Sequence, residues 1–101
     1  MSPLKTQPFD PAAYLDDSDA LAAYMSEALA TEDPAFIADA LGIVARARGM
    51  SEVARLSGLS RESLYRALSP EGNPEFATIL RVVRAMGLRL STTPIDERKI
   101  A

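Results

Sequence analysis

Apolar residues along this chain recur mostly at intervals of three and four, the period of one helix face. Leu21, Ala22, Met25, Ala28 and Leu29 form the first such stripe and predict a helix from a Ser18 cap to about Thr31. Asp33-Pro34 then signals a second start, because aspartate caps free N–H groups and proline suits the first helical position. Phe36, Ile37, Ala40, Leu41, Val44 and Ala45 continue that helix to about Arg48, where Gly49 permits a stop. Two shorter stripes follow. Val53, Ala54 and Leu56 come after Ser51, read as a cap, and Leu64, Ala67 and Leu68 come after Ser60. The dense turn signal Ser69-Pro-Glu-Gly-Asn-Pro precedes a last helix from about Glu75 to Met86, with Phe76, Ile79, Leu80, Val83 and Met86 inward. The period then changes to two: Leu88, Leu90 and Thr92 alternate with Arg89 and Ser91, predicting a short β-strand over residues 88–92. The expected fold class is therefore all-α, a bundle of about five helices with a short C-terminal β-strand. Residues 1–17 read as an arm with one short turn, residues 18–93 as the domain, and residues 94–101 as a tail.

The stretch from Ser51 to Leu68 carries the chemistry. Gly58 stops one short helix a single residue before Leu59, and Ser60 starts the next. A turn this tight needs positive φ, which glycine supplies without steric cost. Ala54 allows the two helices to cross closely, Leu59 plugs the core from within the turn, and Val53, Leu64 and Leu68 anchor both helices. The expected outcome is a helix-turn-helix over residues 51–68, its second helix standing proud of the surface and shaped for a major groove. That helix exposes Ser60, Arg61, Glu62, Ser63, Tyr65 and Arg66. Arg61 suits a bidentate contact to guanine, Glu62 accepts from cytosine, and Ser63 donates or accepts. Tyr65 and Arg66, one turn on, face bases or phosphates. Ser51 and the loop residue Asn73 are candidates for backbone phosphate. Arg81 and Arg84, three apart on the last helix, read more simply as a solvated face.

A net charge of -3 does not suggest a nucleic-acid binder until its distribution is drawn. Residues 1–45 set one lysine against eight carboxylates, a net of -7. Residues 46–90 set eight arginines against four glutamates, a net of +4, and residues 91–101 balance. An acidic front and an arginine-rich back predict two partners, or a front half whose acids simply solubilise its helices. The chain has no cysteine and no histidine, which removes disulfides, thiolate chemistry, the commonest metal ligand and the commonest general base. With no phosphate loop and no base to activate a serine, neither catalysis nor a cofactor is expected. No apolar run is long enough to span a bilayer, and Met1-Ser-Pro-Leu-Lys-Thr lacks a secretory layout, so the expected location is cytoplasmic.

These residues bear a resemblance. Residues 50–68 resemble the lambda-repressor-like helix-turn-helix. Phe9-Asp-Pro-Ala-Ala-Tyr-Leu, the stretch from Asp33 to Gly49, Gly58-Leu-Ser-Arg-Glu-Ser-Leu-Tyr-Arg-Ala-Leu-Ser and Asn73-Pro-Glu-Phe-Ala-Thr-Ile-Leu-Arg-Val-Val together resemble the addiction-module antidote proteins, over about residues 4–95. That resemblance, to bacterial or prophage antitoxins akin to HigA, implies an antitoxin that silences a small basic toxin of RelE/ParE-like fold and represses its own operon on double-stranded DNA. An acidic half would attract such a toxin through complementary fields. The alternative is a stand-alone prophage-type transcriptional regulator with no toxin. A lone strand cannot satisfy its own backbone groups, so residues 88–92 are expected to pair with a second subunit in a homodimer that reads two half-sites.

Overall fold

Helix α1 (Ser18–Ala30) is started by the residue before its expected cap, and the computed structural model, which describes residues 17–96, shows why. Asp17 holds an extended backbone, and its Oδ1 accepts a hydrogen bond from Ala20 N at 3.0 Å. Ser18 is therefore the first helical residue, not the cap. A carboxylate placed there meets the positive end of the helix dipole as well as a free N–H. The expected arm, the short turn at 11–15 and residues 97–101 of the tail lie outside the described residues.

Helix α2 (Pro34–Arg48) starts as the Asp33-Pro34 signal predicts: Asp33 Oδ1 accepts from Ala35 N at 3.1 Å and from Phe36 N at 3.4 Å. Arg46 and Arg48 occupy its last turn, where cations complement the exposed carbonyls. Helix α3 (Met50–Ser57) follows after Gly49 alone, at φ 115°. Its first residue is Met50, it has no side-chain cap, and Ser51 sits inside the first turn. The expectation of a Ser51 cap is corrected: buried Met50 is drawn into the core, and the helix starts two residues earlier, with Gly49 at the cap position.

Helix α4 (Arg61–Ala67) is capped by Ser60, and helix α5 (Phe76–Ala85) closes the set. α1 packs on α2, α2 on α3, and α3 on both α4 and α5. One core joins all five, with Leu41, Val44, Val53, Leu64, Leu68 and Val82 fully buried at its centre. The bundle needs one very close approach. A Cβ on Gly42 would stand 2.6 Å from the carbonyl oxygen of Leu68, so only a glycine lets α2 lie against the end of α4.

Three expectations about faces are corrected. On α5 the buried set is Val82, Val83, Ala85 and Met86, with Ile79 packed against it, while Phe76 and Leu80 are exposed at 68% and 42%. The helix is rotated from the stripe expected, since Val82 rather than Leu80 is buried. Phe36 on α2 is likewise half exposed. Leu56 on α3 is exposed, whereas Ser57 is buried. Ser57 satisfies itself locally: its hydroxyl donates to Ala54 O at 3.4 Å and accepts from Leu59 N at 3.3 Å.

The expected strand at 88–92 is absent, and no strand occurs among the described residues. After Gly87, at φ 81°, Leu88 N donates to Val83 O and the chain runs on without regular structure. Leu88 and Leu90 pack against the core while Arg89 and Ser91 face outward, so the alternation was real. It reports a segment lying across the bundle. A strand needs a neighbour for its ladder, and none is within the described part of the chain.

Candidate nucleic-acid interface

The unit formed by α3, the turn and α4 is rigid for reasons that begin with single residues. Gly58 adopts the left-handed region at φ 78°, ψ 13°, and its N–H donates to Ala54 O at 2.9 Å, closing α3. Leu59 inserts partly into the core from the turn. Ser60 Oγ accepts from Ser63 N at 3.0 Å and donates to Ser63 Oγ at 2.9 Å. α4 is then pinned underneath by Leu64 and Leu68, both at 0% exposure.

With that side fixed, the other side of α4 must face outward. Ser60, Arg61, Glu62, Tyr65 and Arg66 are all exposed, and Ser63 is half-buried. Arg61 carries its guanidinium 5.9 Å from the Tyr65 ring centroid, a cation–π distance that steadies the arginine without occupying its N–H groups. Glu62 Oε2 and Arg66 Nη2 are 3.6 Å apart. This pairing competes with the cytosine contact expected of Glu62 and ties up part of Arg66. Ser51 is exposed on the first turn of α3, and Asn73 is exposed in the loop after α4, bordering an open groove with Ser63, Arg66, Glu75 and Thr78. The eight candidate residues thus lie on three neighbouring elements.

Two features go beyond the sequence pattern, which leaves Glu52 and Arg55 unmarked and reads Arg81 with Arg84 as a solvated face. Arg55 and Glu52, on the outer side of α3, make a two-point pair, with Nε to Oε1 at 3.2 Å and Nη2 to Oε2 at 2.5 Å. The guanidinium holds the Glu52 carboxyl below the usual carboxylate range, and the carboxylate pushes Arg55 up in return. Their spacing of three was the available signal. The second is Arg81. Its Nη1 stands 4.0 Å from where a Cβ on Gly58 would be, so an α5 guanidinium lies beside the α3–α4 turn. Arg84 instead borders a hollow with Leu80, Leu88 and Leu90, so the two arginines have different surroundings.

The α1–α2 part of the chain is acidic. Between residues 17 and 45 the described chain carries Asp17, Asp19, Glu27, Glu32, Asp33 and Asp39 and no cation. Tyr24 lies among them; burial and the neighbouring Asp39 carboxylate push its hydroxyl up. No group of carboxylates among the described residues is arranged to hold a metal, and no helix there is long and apolar enough to cross a membrane.

Residues 5–94 match the family model described as "Probable addiction module antidote protein". The chain belongs to this antidote family. It is also 46% identical, over 81 residues, to an uncharacterised protein of Haemophilus influenzae Rd, a match covering 80% of this chain and 84% of that one. No solved structure matches the chain significantly. An addiction-module antidote implies a toxin partner of some kind.

Proposed function

We propose that this antidote is the antitoxin of a type II toxin–antitoxin module, binding a RelE/ParE-like toxin and repressing its own operon through sequence-specific contact with double-stranded DNA. Family membership supports the first part. The second rests on one observation: α4 is anchored by fully buried Leu64 and Leu68 and turns Arg61, Tyr65 and Arg66 outward. α3, the Gly58 turn and α4 act as a lambda-repressor-like helix-turn-helix. Arg61 reads guanine, Ser63 and Tyr65 make adjacent base or phosphate contacts, and Ser51, Ser60 and Asn73 hold the backbone. The acidic α1–α2 end takes the basic toxin, since complementary fields raise encounter rates. Two copies read two half-sites about one helical turn apart. The protein acts by binding and performs no catalysis.

Arg61→Ala is the direct test. It is expected to abolish operator binding in a gel shift on the protein's own promoter while co-purification with the protein of the adjacent reading frame survives. Loss of both in a folded variant overturns the assignment of separate surfaces. A neighbouring frame that encodes no small basic protein favours a stand-alone regulator.

A further inference from the structure

The arginines on the α3–α5 side differ in what they already hold. Arg55 is engaged by Glu52 and Arg66 by Glu62, while Arg61 lies over the Tyr65 ring. Arg81 is exposed and has no carboxylate partner among the described residues, yet it stands beside Gly58, two residues before the α4 cap. Its place in the helix reinforces this. Thr78, three positions before Arg81 on α5, borders the groove beside Ser63 and Arg66 of α4.

We infer that Arg81 is a backbone-phosphate contact, an anchor supplied from outside the helix-turn-helix. The inference rests on the DNA-binding function proposed above. A major groove is about 12 Å wide, so once the start of α4 enters it, side chains flanking that start meet the phosphates along its rim. A guanidinium with no internal partner gives up no ion pair to bind there, unlike Arg55 or Arg66. Its forked N–H groups match phosphate oxygens at two points. A phosphate contact carries no sequence information; it adds affinity to every duplex alike and places Arg61 in register.

The test measures the affinity of the full chain across a salt series, on a duplex from its own promoter and on an unrelated duplex of equal length. Arg81→Gln is expected to weaken both by the same factor and to lower the slope of log affinity against log salt by about one, the share of a single phosphate. Arg81→Lys is expected to restore the slope, and Arg84→Gln, beside the hollow of Leu80, Leu88 and Leu90, to leave it alone. An unchanged slope in Arg81→Gln overturns the inference while leaving DNA binding intact. So does a change confined to the promoter duplex, or a lysine variant that melts normally and rescues nothing. Absence of salt-dependent binding by the unsubstituted protein instead removes the DNA-binding function itself.

Discussion

The α1–α2 end and the α3–α5 end of this bundle share a core but are built on different economies of charge. In α1 and α2 the carboxylates begin helices: Asp17 and Asp33 accept backbone N–H groups and leave no cation beside them up to residue 45. In α3 and α4 the carboxylates are spent on arginines, Glu52 on Arg55 and Glu62 on Arg66. The carboxylates of residues 17–39 thus meet no cation along the chain before Arg46 and Arg48 in the last turn of α2, whereas the positive charge of the second end is partly neutralised on its own surface. The number of arginines in this stretch therefore overstates the cations left free at the α4 face. What remains available there is Arg61, steadied by an aromatic ring, and Arg81, which stands beside the turn.

Substitutions should separate the two ends in a definite order. The largest effect belongs to the core they share. Leu64→Ala is expected to destabilise the fold by about 2–5 kcal/mol in denaturant titration, because the side chain is fully buried. Both ends should fail together in that variant; toxin capture surviving its unfolding would mean that the acidic end folds alone. Next is Gly58→Ala, at φ 78°, with an expected cost of about 1–2 kcal/mol. On the proposed function it should disturb DNA binding more than toxin binding, since the strain falls on the turn before α4.

Asp33→Ala removes the acceptor for Ala35 N and Phe36 N and is expected to cost about 1 kcal/mol by thermal melting. DNA binding at a temperature where the variant stays folded should be unchanged. The smallest effect is that of Glu52. Its carboxyl is held below the ordinary range in the folded protein, so its contribution is present above that range and lost as pH falls through the folded value. Comparing Glu52→Gln with the unsubstituted protein across pH 3–6 should show a slight difference that closes on the acid side, and more so in high salt because the pair is exposed. A difference that widens on acidification would reverse the assigned direction.

Much of the site was legible in the residues themselves. Gly58 and Ser60 act locally, through a backbone conformation and a hydrogen bond to a neighbour three positions on, so the chain specifies them without help. The order of five helices followed from periodicity for the same reason. The failures have a common form. Residue type points to Ser18 and Ser51 as caps, but Asp17 and the burial of Met50 decide the boundaries. Phe76 and Leu80 completed a plausible stripe on α5, yet Val82 faces the core. An apolar alternation at residues 88–92 looked like a strand and is a segment draped over the bundle.

What the sequence alone determined is whatever is settled within a few residues: where helices run, where the tight turn falls, and which residue types the second short helix offers. Tertiary structure decided which face of α5 turns inward, which arginines are already paired, and that Arg81 comes to rest beside a turn 23 positions earlier in the chain. The physical reason is range. Caps and turns are made by hydrogen bonds between near neighbours, whereas burial and the proximity of charges depend on how separate helices pack around one core.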